Sequence, residues 1–363
     1  MRIDVTKTWL PERKKFDTYV DIIYKNGWVT NNGPLVRELE ERLSDYLGVE
    51  DVILTSSGTA ALETAYRALG LRDFAVTTPF SFVATTSSLV ANGIKPIFAD
   101  IDPETLTIDP EQIEKQITAH TTAIVPVHVF GNACEIDAIE SIARRHSLKV
   151  IYDAAHAFGV EFRGESILKR GDISVLSFHA TKLFHTIEGG ALIVNDKRVV
   201  QKSRYLINFG IEGPESIPSL GTNAKMNEFE AAMGLCVLDD MDTILQRREE
   251  VYRRYEKALS SILPTQKRNS DSSMNFAYYP VIFESEETLK RVQRALNEKS
   301  IYPRRYFYPS LDSLSYIEPK QYCPLSRDIS CRILALPISP YLSEDMQDKI
   351  INIVRGTLGD EKI

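Results

Sequence analysis

Short apolar runs, each the length of a strand and each closed by turn or helix signals, recur between residues 51 and 196: "DVILT", "IKPIFAD", "TAIVPVHVF", "LKVIYDAA", "ISVLSF" and "GALIVND". Runs this continuously apolar read as strands buried on both faces rather than as strands with one wet side. Helical segments lie between them. "GTAALETAYRALG" carries Leu62, Ala65, Tyr66 and Leu69 on one face, and "CEIDAIESIARRHS" reads as another helix. The alternation predicts an α/β fold with a mainly parallel central sheet covered by helices. Ahead of it, "PLVRELEERLSDYLGV" puts Leu35, Leu39, Leu43, Tyr46 and Leu47 on one stripe, with Gly48 set to close the helix.

A chain of 363 residues is too long for one simple core. We expect a large α/β domain over residues 1–240, including an N-terminal segment, and a small C-terminal α+β domain over residues 241–363. In the latter, "RREEVYRRYEKAL", "ETLKRVQRALNEKS" and "SEDMQDKIINIVRGTL" read as helices, and "FAYYPVIF" and "CRILALPIS" as strands. The polar loop "PTQKRNSDSS" is expected to be exposed and mobile.

Charge and cysteine content exclude several functions. A formal net charge of -7 with scattered basic residues lacks the basic face that nucleic-acid binding requires. The N-terminal stretch "MRIDVTKTWLPERKK" lacks a signal-peptide core, and no run of about 18 apolar residues offers a membrane span. A cytoplasmic, membrane-free protein is expected. The four cysteines, Cys134, Cys236, Cys323 and Cys331, form no CxxC pair and support neither a disulfide framework nor a metal site.

The chemistry gathers around "SVLSFHATKLFHTIEGGALIVND", where Lys182 sits amid aromatics and glycines between two buried strands. Such an amine either snorkels or has its pKa depressed until it can act as a nucleophile. Ser177 and His179 precede it and Glu188 follows. Asp153, in "KVIYDAAHAFG", ends another strand, where active-site groups of open parallel sheets gather, though it can equally cap the following segment. In "TSSGTAAL", Gly58 and Thr59 open a helix whose free N–H groups favour a phosphate; an ordinary Ser/Thr cap has the same appearance. A phosphate cradle, a carboxylate and an amine at one sheet edge match a single cofactor, pyridoxal 5'-phosphate, with its phosphate, basic ring nitrogen and aldehyde.

The ordered blocks "GWVTNNGPLVRELEERLSDYLGV", "SSGTAAL", "TTPFSFVATTSSLVANGIKPIFADID", "VPVHVFGNACEID", "YDAAHAFG", "SFHATKLFHTIEGGA", "GTNAKMNEFEAAMG" and "LALPISPYLS" span nearly the whole chain. In them the chain resembles the nucleotide-sugar aminotransferases of the DegT/StrS type, a branch of the aspartate-aminotransferase-like, fold type I pyridoxal-phosphate enzymes. Position by position, the resemblance implies that Lys182 carries the cofactor and shuttles the proton, and that Asp153 pairs with the ring nitrogen. Gly58, Thr59 and Ser177 match the phosphate cup, and Phe82 matches an aromatic that stacks on the ring. His156 stands beside the ring hydroxyl, where the family more often has glutamine. Asn223 matches an asparagine that reaches the phosphate from the neighbouring subunit, which implies a homodimer with shared sites; its local alternative is a cap or turn role. Lys225 replaces a usual arginine and loses that group's fork of donors. Arg304 and Arg305 fall near a segment that approaches the sugar nucleotide, and they are either pyrophosphate partners or a solvated basic pair. His179 and Glu188 complete the residues expected to face substrate.

The activity implied is a ping-pong transfer from L-glutamate, through pyridoxamine phosphate, to a nucleotide-linked keto sugar. The form "SFHATKLFHTIEGGA" is most similar to that of enzymes aminating carbon 4 of dTDP-4-keto-6-deoxy-D-glucose for surface-glycan (O-antigen, lipopolysaccharide) biosynthesis. The alternatives are carbon 3 amination of a 3-keto isomer, or a pyridoxal-phosphate-binding relative such as a sugar dehydratase or regulatory protein.

Overall fold

The computed structural model describes residues 2–359; Met1 and residues 360–363, the ends of the two expected domains, lie outside them. Its centre is a seven-stranded sheet of β1 (Val52–Thr55), β2 (Phe74–Thr77), β3 (Lys95–Phe98), β4 (Thr121–Val125), β5 (Lys149–Asp153), β6 (Ile173–Ser177) and β7 (Gly190–Val194). The strand order is β1-β7-β6-β5-β4-β2-β3. Neighbours pair parallel from β6 through β5, β4 and β2 to β3, while β7 runs antiparallel to both β6 and β1. All the expected strands form. The sequence reading omits β2, whose run "FAVT" is too short to stand out beside the polar "LRD" before it.

Helix α1 (Pro34–Leu47) buries Leu35, Val36, Leu39, Leu43 and Leu47 and ends in left-handed Gly48. Tyr46 departs from the expected stripe: it is 39% exposed and stacks on Phe158 at 5.7 Å. The N-cap Gly33 offers no side chain to the first turn, so the buried Glu228 does, accepting from Leu35 N at 2.8 Å and Val36 N at 3.0 Å. Helices α2 (Gly58–Leu69) and α3 (Val83–Ala91) follow β1 and β2 and pack against one another.

Helix α4 (Met241–Leu259) leads into the C-terminal region. There β8 (Tyr279–Ile282) and β9 (Ile333–Leu336) pair antiparallel, flanked by α5 (Glu286–Glu298) and α6 (Glu344–Gly359). Val251, Tyr255, Leu289, Val292, Leu336 and Ile350 form an apolar cluster of their own. The β3 edge of the central sheet is closed by a side chain: Gln321 accepts from Phe98 N at 2.7 Å and donates to Pro96 O at 3.0 Å, as a neighbouring strand would.

The loop expected to be exposed and mobile is exposed at Pro264, Lys267, Ser270, Asp271 and Ser273 but is pinned by the residues between them. Gln266 is buried and donates to Thr105 O and Val129 O, and Arg268 donates to Phe130 O and Gly131 O. The polar residues of this loop satisfy carbonyls on a neighbouring turn, an interaction that composition alone does not reveal. No helix among the described residues is long and apolar enough to cross a membrane.

Candidate active site

Strand direction brings the candidate residues together. Asp153 ends β5, Ser177 ends β6, and Gly190 begins the antiparallel β7 opposite both Ser177 and Thr55, so these positions share one edge of the sheet. Helix α2 starts at the same edge. The approach is close: a Cβ on Gly58 would lie 2.8 Å from Ser177 Cβ, and one on Gly190 would lie 2.6 Å from Gly58 N. Only glycines let the helix end sit against the two strands.

The result is a cavity of about 240 Å³ lined by Gly58, Thr59, Phe82, Asp153, His156, Ser177, His179, Lys182 and Glu188, together with Arg304. In the first turn of α2, Ser57 Oγ accepts from Ala60 N and Ser57 O from Ala61 N, leaving the Gly58 and Thr59 N–H groups without a partner among the described residues. Those donors at the positive end of a helix form an anion cradle beside Ser177.

The loop bearing Lys182 is held from several sides. Phe184 stacks on Phe158 at 4.7 Å and meets Phe178 edge-on at 4.8 Å. The N-terminal segment straps the loop, with Thr8 Oγ1 donating to Ala180 O and His185 Nε2 bonding Trp9 O at 2.7 Å. Gly189 closes the loop at φ +152°, where a Cβ would run into Thr186 Oγ1. The Lys182 ammonium is desolvated, which pushes its pKa below that of an ordinary lysine; Asp153 and Tyr306 pull it up and Arg304 adds to the depression.

Asp153 is 5% exposed, and burial raises its pKa. Three interactions oppose that rise: Thr85 Oγ1 donates to Oδ2 at 2.7 Å, Ala155 N donates to Oδ1 at 3.1 Å, and Lys182 acts through space. His156 lies beside Phe130 and Phe307 in a cluster of three near-parallel rings, tilted from them by only 9° and 7°, with the two phenylalanine rings themselves 5.7 Å apart. Its Nδ1 accepts from Phe130 N at 3.2 Å, so the neutral ring carries its proton on Nε2. Burial first, then Lys182, pushes its pKa well down, so the ring is neutral. The turn that aims this N–H places Phe130 at φ +56°, a conformation that costs a bulky residue about 1–2 kcal/mol. Arg268 and Gln266 hold the turn's carbonyls in place.

The mouth of the cavity holds the pair His179 Nε2 and Glu188 Oε1 at 3.5 Å. Arg304 and Arg305 part company. Arg304 forms an antiparallel bridge with Ala335, so consecutive side chains point to opposite sides. Arg304 reaches the cavity, its guanidinium 4.8 Å from the centre of the Tyr306 ring. Arg305, expected either to meet the pyrophosphate or to be solvated, lies outside the cavity lining and donates to Glu286 Oε1 at 2.8 Å and Cys331 O at 2.9 Å. Asn223 and Lys225 also lie outside this cavity. Lys225 Nζ donates to Asn223 Oδ1 at 2.7 Å, and partial burial lowers the lysine's pKa.

Sequence reasoning missed the aromatic wall of Tyr278, Tyr306 and Phe307 and the polar pair Ser81 and Thr85. The aromatic density of "FAYYPVIF" and "YPRRYFYPS" was the available signal for the wall. The residues that are present fit a phosphate-bearing aldehyde with a basic ring: free helix-end donors for the phosphate, a buried carboxylate for the ring nitrogen and a desolvated amine for the aldehyde.

Comparison with known proteins agrees with this chemistry. The family model of the DegT/DnrJ/EryC1/StrS aminotransferase family matches residues 11–355. A dTDP-4-amino-4,6-dideoxy-D-glucose transaminase of Shigella dysenteriae is 45% identical over 364 residues, covering 97% of this chain and 98% of that protein. A protein of the same description from Escherichia coli is 36% identical, with 98% of this chain and 99% of that one covered. Among solved structures, DesI in the presence of its TDP-sugar product matches with a TM-score of 0.94 at 32% identity, over 99% of this chain and 94% of that one.

Proposed function

We propose, from the premise that this chain belongs to the DegT/DnrJ/EryC1/StrS aminotransferase family, that it moves an amino group from L-glutamate to carbon 4 of dTDP-4-keto-6-deoxy-D-glucose. The fold is that of the aspartate-aminotransferase-like enzymes, the cofactor is pyridoxal 5'-phosphate, and the reaction class is transamination. The observation that carries the choice of sugar is the 45% identity, over nearly the full length of both chains, to a transaminase of that description.

Pyridoxal phosphate supplies an aldehyde that accepts the amino group and a ring that draws electrons from the substrate carbon. We assign the remaining work to this chain's own groups. Lys182 Nζ, with its depressed pKa, is available as a nucleophile and then as the base that takes and returns a proton at the substrate carbon. Asp153 holds a proton on the ring nitrogen. Gly58, Thr59 and Ser177 bind the phosphate, Phe82 covers the ring, and His156 donates from Nε2. Arg304 meets the sugar nucleotide's pyrophosphate, and His179 and Glu188 stand at the entrance where the sugar arrives.

The same reading assigns Asn223 and Lys225 to the active site of a second copy in a homodimer. Its support is the surface around them, where Phe209, Ile217 and Leu220 are 51%, 69% and 83% exposed. It also assigns the protein to the cytoplasm and its product to a surface glycan such as O-antigen, and it divides the chain near residue 240. The separate apolar cluster around Tyr255, Leu289 and Leu336 supports that division.

The test is an absorbance spectrum of the protein with pyridoxal phosphate before and after glutamate, followed by the keto sugar with product analysis. The expected product is dTDP-4-amino-4,6-dideoxy-D-glucose. A glutamate response that this sugar does not reverse would refute the sugar, and no response to glutamate would refute the amino donor.

A further inference from the structure

Asp153 raises a problem of charge. It is buried, and among the described residues no arginine or lysine makes a hydrogen bond to it. The charged or titratable groups that face it are Lys182 from the lysine loop, Tyr66 from α2 and His156 from its own loop. Of these only Lys182 can be cationic, and that charge cannot be relied on, because the amine is the one consumed when the cofactor is attached. The permanent support is two hydrogen bonds, one from the backbone of Ala155 and one from the side chain of Thr85.

The second bond belongs to a chain with a defined direction. A carboxylate only accepts, so the single Thr85 proton goes to Asp153 Oδ2. The Ser81 hydroxyl, 2.9 Å from Thr85 Oγ1, must then donate to Thr85. Ser81, Thr85 and Asp153 are all buried, and each donor in such a chain strengthens the next.

We propose that Thr85, polarised by Ser81, is a positioning residue that keeps Asp153 charged and aimed at the ring nitrogen of the cofactor. The inference rests on the assignment of Asp153 to that nitrogen. Thr85 acts through Asp153 and does not line the cavity. Removing its hydroxyl leaves burial less opposed, so the carboxylate takes up a proton at higher pH than in the wild type.

The test follows bound-cofactor absorbance and cofactor dissociation across the acid range in the holoenzyme and its Thr85→Val, Thr85→Ser and Ser81→Ala variants. Thr85→Val is expected to weaken cofactor binding near neutrality about tenfold and to move the acid limb to higher pH. Thr85→Ser keeps both near wild type, and Ser81→Ala moves the limb less, in the same direction. A role confined to packing would lower thermal stability and leave the limb in place, and a folded Thr85→Val with the wild-type limb overturns the inference. If Thr85→Val does not fold, Ser81→Ala decides, and an unmoved limb there overturns it. A wild-type protein with no bound-cofactor band overturns the cofactor assignment itself, and this inference with it.

Discussion

Two buried carboxylates in this chain face opposite fates. Asp312, in the C-terminal region, accepts from Ser310 Oγ at 2.6 Å, Cys323 N at 2.9 Å and Arg327 Nε at 2.7 Å. Asp153 accepts from one hydroxyl and one backbone N–H, and its cation, Lys182, acts on it without a hydrogen bond. The first carboxylate is saturated by its own protein. The second has capacity to spare and opens onto a cavity. A buried charge that the fold satisfies holds segments together, and one the fold leaves wanting is ready for a ligand.

Removing the cation beside each carboxylate separates the two roles most sharply. Lys182→Ala is expected to cost activity on the order of 10⁴-fold and to abolish borohydride-trapped cofactor, with the protein still folded. Arg327→Ala is expected to lose about 2 kcal/mol of stability in denaturant titration while the folded fraction stays active. If the two variants exchanged these phenotypes, the distinction would be wrong.

The carboxylates themselves come next. Asp153→Asn should slow turnover about 100-fold or more. Burial raises the folded-state pKa of Asp153, so its charged form disfavours the folded apoprotein. That cost is absent in acid and appears as pH rises through the folded pKa. Apo Asp153→Asn should therefore melt higher than wild type at neutral pH, and the gap should close on acidification. Asp312→Asn should instead lower stability by about 2–3 kcal/mol with little change in turnover.

A smaller effect separates the adjacent arginines. Arg304→Gln should raise the KM for the sugar nucleotide about tenfold. Arg305→Gln should change it less than about twofold and lower stability by about 1 kcal/mol, because its partners are Glu286 and Cys331 O.

The comparison also explains what could be read from the sequence. Six of the seven strands of the central sheet announce themselves as apolar runs, the exception being β2, and Asp153, Ser177 and Lys182 are conspicuous because they interrupt or follow such runs. Thr85 sits in "FVATTSS", a row of interchangeable hydroxyls, and nothing local marks which one meets a carboxylate 68 residues away. Tyr278 and Phe307 look like core residues until the C-terminal region folds over the sheet edge. Arg304 and Arg305 are indistinguishable until a single bridge to Ala335 fixes their sides. The loop holding Gln266 and Arg268 looks disposable, yet it steadies the turn that sets the proton on His156.

The amide that closes the edge of β3 has a consequence in time. Gln321 is joined to Phe98 across 223 residues of chain. A ribosome adding about 5–20 residues per second needs roughly 10–45 s to travel that far. Throughout that interval the outer edge of β3 stays open to every other chain in the crowded surroundings of synthesis, until Gln321 arrives with Leu311, Ile317 and Cys323, which pack on Phe98.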